Sequence, residues 1–289
     1  MHASVPAPAA PGRLLQRLLL LWIMALLAGC ASQQRLSEVR DFAAKAPTLS
    51  SYTDLSQRYR DTWQREQPYL TPAADAREKP IDAKRRDAYP DFIAIHHAVV
   101  TYMRALGALA GGEQFDMQDQ IKATAEGIKA WPDAGITERH VNAYAGLARL
   151  LARLVGGREQ DRAVQTMLRD GYEPMQASLD AMSTVLRHYD KTHDNERAIV
   201  LGMLDVETPF ADNPRDRLLA VLAKAHRQDK AAEYRLLGLR HTAAARHVND
   251  IQMQHQALAR DYGIAPSTMR VASPPTPSMN PPATAGATP

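Results

Sequence analysis

The sequence predicts an all-α protein, a multi-helix bundle with two long carboxyl-terminal helices. Three observations predict it. Alanine, leucine, arginine and glutamine, all good helix formers, abound, while valine and isoleucine are sparse. Apolar residues return every three or four positions along most of the chain, and no run alternates apolar with polar as a half-buried strand does.

Each element follows from local signals. A first helix is expected from Gln34 to Lys45, stopping before Pro47. A second runs from Ser50 or Ser51 to Glu66, with Tyr52, Leu55, Tyr59 and Trp63 on one face. Pro72, Pro80 and Pro90 punctuate a charged stretch from Thr71 to Pro90, which reads as a loop with at most one helical piece around Ala83. Phe92, Ile95, Val99, Tyr102, Leu106 and Leu109 then form a heptad seam closed by Gly111-Gly112. A helix from Phe115 to Ala130 ends at Trp131-Pro132. The next is capped by Thr137, carries Val141, Tyr144, Ala148, Leu151 and Val155, and ends at Gly156-Gly157.

A shorter helix leads to Gly171, and Pro174 opens the first of the long pair. Met175, Leu179, Met182, Leu186 and Tyr189 carry its seam, and the polar run Asp190 to Asn195 is a candidate break before Thr208-Pro209. Asn213-Pro214-Arg215-Asp216 starts the second long helix. Leu218, Leu222, Ala225, Ala232, Leu236, Leu239 and Ala243 are expected to line its core side. The seam then moves one place to Ala244, Val248, Ile251, His255, Leu258 and Tyr262, with Gly238 the expected bend. Unbroken, this helix would extend about 70 Å.

Beyond Pro266, Ser273-Pro274-Pro275-Thr276-Pro277 and Asn280-Pro281-Pro282 offer neither charge nor apolar period. Residues 266–289 therefore read as a disordered tail.

The amino end has the three parts of an export signal. Arg13 and Arg17 are basic, no acid precedes Glu38, and an uncharged apolar run spans Leu18 to Leu27. That run is half the roughly 20 residues needed to cross a membrane, which suits a signal peptide. It ends in Leu27-Ala28-Gly29-Cys30, small residues before the only cysteine of the chain. The segment resembles the lipobox of bacterial lipoproteins. The resemblance implies cleavage between Gly29 and Cys30, removal of residues 1–29, and acyl chains such as palmitate on Cys30 that hold the mature protein on a membrane. Ala31, where an aspartate would favour the inner membrane, implies the periplasmic face of the outer membrane. Several acyl chains on one residue would hold firmly where one binds only reversibly. With its single cysteine used by lipid, the protein has neither a disulfide nor a thiolate metal cluster.

Composition narrows the function classes. The 289 residues are 45% hydrophobic and 23% charged, enough to bury a core. The net charge of +3 falls close to neutral once Arg13 and Arg17 leave, and charges of both signs are interspersed. No nucleic-acid partner is expected.

Catalytic templates are absent: the chain has no Gly-x-Ser-x-Gly, no phosphate loop and no His-Glu-x-x-His. Asp190-Lys191-Thr192-His193 is the nearest approach to the Glu-x-x-His of carboxylate-bridged metal bundles, and it stands alone. No metal or other cofactor is expected. His96 and His97, adjacent and so about 100° apart on a helix, define a candidate pocket with Tyr102. His255 falls on a seam, where a buried polar residue sets register. Glu126, Glu138 and Glu207 are scattered acids, and Met175, Met182, Met203 and Met253 read as core filling. Arg58, Arg60 and Arg65 with Tyr59 and Trp63 make a basic-aromatic helix, either an ordinary packed one or one that touches headgroups or an acidic partner.

The expected function is structural or protein-binding: residues 30–265 form a helical periplasmic domain, lipid-anchored and engaged with another envelope protein. The alternatives are a ligand- or metal-binding bundle and a periplasmic immunity-type protein.

Overall fold

A computed structural model of the protein describes residues 32–111, 127–153, 160–211 and 214–264. The signal segment, Cys30, Glu126, Gly156-Gly157 and the proline-rich tail lie outside the described residues. Helix α1 spans 32–43, followed by a 3-10 turn at Ala46–Leu49, α2 at Ser50–Arg60 and α3 at Thr62–Glu66. Then come α4 at Pro72–Gly111, α5 at Glu138–Ala152, α6 at Gln160–Glu207 and α7 at Arg217–Asp261. Among the described residues the only β-type pairing is an isolated bridge between Trp131 and Ile136. The fold is the predicted all-α bundle, and its last two helices are long. Helix α6 is the hub: it packs against α2, α3, α4, α5 and α7.

Proline misleads twice. From Pro72 to Pro90 the expected loop is helix, and α4 runs 40 residues through Pro80 and Pro90. Its start is well signalled: the Ala74 amide donates to Thr71 Oγ1 at 3.3 Å, Pro72 needs no donor, and Asp75 is in the first turn. Ion pairs Lys79–Asp75 (2.9 Å), Arg86–Asp82 (2.8 Å) and Arg85–Glu78 (2.5 Å) staple the following turns. An interior proline costs about 3 kcal/mol. Burial of Phe92, Ile95, Val99, Tyr102 and Leu106 on the same continuous helix offsets that cost. Helix α4 is long and apolar enough to cross a membrane, but more than half of its apolar window is buried against the bundle. We read it as a core helix.

In the same way, α6 passes through both Gly171 and Pro174 without a break. A Cβ on Gly171 would sit 2.5 Å from Tyr102 Cε2, so glycine here admits a buried ring rather than ending a helix. Pro174 lies against Gly146 of α5, where a Cβ would approach the proline ring to 3.0 Å. The polar run 190–195 does not break α6 either, because His193 and Glu196 face inward.

Two smaller expectations are corrected. The second predicted helix divides at Asp61, which turns its buried face to Thr62 and Glu66. Of the helix expected from Phe115 to Ala130, residues 115–126 lie outside the described residues; residues 127–130 are not helical, and the Lys129 amide (3.2 Å) and Trp131 Nε1 (2.7 Å) both donate to Asp91 and hold that segment against α4.

The apolar interior has two parts. The main core is built from α1, α2, α4, α5, α6 and the carboxyl-terminal half of α7. A small second cluster, Val200, Leu204, Tyr234 and Leu237 with Tyr69 and Leu201 beside it, holds the end of α6 against the start of α7. Val248, Ile251, His255 and Leu258 are buried as the pattern predicts. The preceding seam is not. Leu218, Leu222, Leu236 and Leu239 are 71%, 57%, 62% and 64% exposed, and Tyr234, Leu237 and His241 face the core instead. Helix α7 continues through Gly238.

Candidate functional site

A layer of polar side chains separates the two apolar clusters. At its centre is Glu196, 1% exposed. Arg58 Nη2 donates to Glu196 Oε1 at 2.9 Å. Arg65 grips the same carboxylate with two bonds, Nε to Oε1 at 2.9 Å and Nη2 to Oε2 at 2.7 Å. Tyr234 Oη donates to Oε1 at 3.2 Å, and Arg58 also reaches Glu233 at 3.0 Å. The fork geometry of guanidinium suits this double grip. Beside it, the His193 ring lies 5.1 Å from that of His241 and 5.5 Å from that of Tyr234. Burial lowers the His193 pKa and, aided by His193, pushes His241 down to about 4. These imidazoles are neutral at pH 7.

The Glu196 carboxylate is satisfied, whereas Arg58 Nε, His193 Nδ1 and His241 Nδ1 of the same layer have no hydrogen-bond partner among the described residues. Each Glu196 oxygen already accepts from a cation, so the carboxylate is no free general base. The cavity beside Glu196, about 10 Å³, has room for one water at most. The arginines of the basic-aromatic helix are therefore spent inside the protein. Arg58 and Arg65 hold Glu196, while Arg60 pairs with Asp61 at 2.7 Å and lies 4.6 Å over the Tyr89 ring. Nothing in the sequence joined residues 58, 65, 196 and 234. The available signal was the α6 seam, which continues past Tyr189 through His193, Glu196, Val200 and Leu204 at helical spacing.

The candidate pocket at His96, His97 and Tyr102 does not assemble. His97 is exposed. His96 is buried, stacks on Tyr52 at 5.6 Å, and has its pKa lowered to about 4, chiefly by burial. Tyr102 turns to a different network, in which its Oη lies 3.0 Å from His255 Nε2 and donates to the Met167 carbonyl at 3.3 Å. Gln176 Nε2 donates to His255 Nδ1 at 2.9 Å, and Gln256 Nε2 to Gln176 Oε1 at 2.9 Å. These bonds fix the neutral His255 tautomer with its proton on Nε2. Complete burial lowers its pKa to about 3. His255 is thus a buried, hydrogen-bonded core residue on the seam where it was expected.

The other candidates disperse. Glu138 and Glu207 are exposed and far apart in the chain. Met175 and Met182 fill the core, but Met203 and Met253 are 37% and 51% exposed. No group of three or more potential metal ligands meets among the described residues.

Two surface features remain. An open groove of about 410 Å³ between α6 and α7 is bordered by Arg187, Asp190, His241, Thr242, Arg246 and Asn249. Leu186 and Ala245 also line it, and its surface is mostly apolar with charges of both signs at the border. The second feature is the outer side of α7. Its leucines at 218, 222, 236 and 239 stand on the face opposite Tyr234 and Leu237. A helix apolar on two opposite faces is one with neighbours on both. Here α6 covers one face, and no described residue buries the other.

Comparison of the chain with protein-family models, with curated proteins and with solved structures gives no match.

Proposed function

We propose that this protein is a lipid-anchored helical component of the bacterial envelope that binds another polypeptide through the outer face of α7. The observation that carries the reading is the uncovered apolar face itself. Four leucines more than half exposed on one helix stripe are costly in water, and contiguous patches of this kind mark binding surfaces. The lipobox-like Leu27-Ala28-Gly29-Cys30 supports the anchor and the periplasmic face of the outer membrane as its place. It lies just before α1, whose Arg35 packs 5.3 Å over the Tyr262 ring at the carboxyl end of α7.

The test is crosslinking in living cells, with a photoreactive residue at Leu222 of the full chain. A polypeptide adduct of defined mass is expected. Absence of any polypeptide adduct would reject the binding role. Separately, Cys30→Ser should eliminate incorporation of labelled palmitate. Label persisting in that variant would reject the anchor.

A further inference from the structure

We infer that the polypeptide seated on the outer face of α7 is a second copy of this chain, its α7 running antiparallel to the first. The inference rests on the protein-binding reading of that face and names its occupant. Positions 218, 222, 225, 229, 232, 236, 239 and 243 alternate steps of four and three without interruption. That is the 3.5-residue period of a coiled-coil seam. All are exposed except Ala232, which is half-buried.

The seam complements itself in one direction only. Centre an antiparallel pair between residues 230 and 231. Leu218 then meets Ala243 of the other copy, Leu222 meets Leu239, Ala225 meets Leu236, and Asp229 meets Ala232. Two of the four layers set a leucine against an alanine, as interdigitating layers require. Charge decides the direction. Asp229 and Arg235 form no ion pair among the described residues. In the antiparallel pair Arg235 of one copy lies about 4.5 Å along the axis from the level of Asp229 of the other, within reach of its side chain. The two-fold axis makes that pair twice. A parallel pair would oppose Asp229 to Asp229 and set Arg235 beside Arg240.

The seam covers part of the area that a stable pair needs. From Leu218 to Ala243 the seam is about 38 Å long and roughly 10 Å wide. In projection it supplies about half of the roughly 800 Å² that each partner of a stable complex buries. Leu219 and Val221, 62% and 56% exposed beside the seam on α7, add to it, and Met203 and Val206 are exposed at the end of α6. Two hairpins joined this way form a four-helix arrangement with α7 of both copies inside. A lipid surface fits less well, because the seam carries Asp229 at its middle.

Disulfide trapping in cells tests direction and partner together. Full chains carrying Leu222→Cys or Leu239→Cys are expressed singly and together, with the unaltered chain as the control for Cys30. The disulfide-linked dimer is expected only on co-expression. A dimer from either variant alone means a parallel or unspecific pair, and no dimer means no self-pairing. Both overturn the inference, as does seam-dependent flotation of the full chain with anionic vesicles.

Charge reversal gives an independent readout. Asp229→Arg and Arg235→Asp should each weaken self-association about tenfold, and the double variant should restore it. Failure of that rescue also overturns the pairing. If the photoreactive residue at Leu222 captures only a different protein, self-pairing fails while the binding role stands. If it captures no polypeptide, both fail.

Discussion

Glu66 is fully buried, and neither of its carboxylate oxygens has a hydrogen-bond partner. Burial, with the negative charge of Glu78 nearby, raises its pKa to about 7. A carboxyl that holds its proton more tightly folded than unfolded stabilises the fold at low pH. That contribution is fully present below the ordinary carboxylate value near 4.5 and is lost as pH rises through about 7. Relative to the unaltered chain, Glu66→Gln should therefore gain about 1–3 kcal/mol of stability from pH 5 to pH 8, measured by urea unfolding of both across that range; no relative change would show that Glu66 ionises normally. The contrast with Glu196 is instructive. Both acids are buried, but only Glu196 has two guanidiniums and a phenol to satisfy its charge. Sequence spacing places both on helices and distinguishes neither environment, because the cations come from elsewhere in the chain.

Elements were legible wherever the apolar period ran unopposed. Phe92 to Leu106 and Val248 to Leu258 are buried as their spacing requires. The misreadings occurred where a local breaker met a tertiary contact that outweighed it. Gly171 looks like a helix end until the Tyr102 ring against it is known, and Pro174 looks like a start until Gly146 is found beneath it. Gly238 is a different case. It lies inside α7, and an added Cβ would meet nothing within 4 Å. Gly238→Ala should therefore stabilise the protein by about 0.5–1 kcal/mol through helix propensity alone. A rise in urea midpoint without a change in slope is the expected measurement. A loss of stability would mean that the helix is not continuous there.

For the whole molecule, the buried histidines set the acid limit. His96 and His241 are held near 4 and His255 near 3, and all three stay neutral in the fold. An unfolded chain binds protons at these rings below about 6.5. Their stabilising effect is thus present above that pH and is lost as pH falls through it. Glu66 works in the other direction but with one proton against three, so stability should rise from pH 5 to about pH 7 and change little above it, with a net uptake of about two protons on unfolding at pH 5. Calorimetry in buffers of different ionisation enthalpy would measure that uptake; a value near zero would contradict the neutral interior. The bundle as a class was readable from composition and period. The outer face of α7 was not: a heptad seam looks the same in sequence whether its neighbour is in the same chain or another.

The polar layer around Glu196 also divides the molecule mechanically. Beyond it, the joined ends of α6 and α7 rest on four buried apolar residues, whereas the body below has an extensive core. Amide hydrogens from residue 197 to 237 should therefore exchange with deuterium long before those of 244 to 259, by opening of this hairpin while the remainder stays closed. The tip is a separate cooperative unit, and whatever clasps it would slow that exchange first.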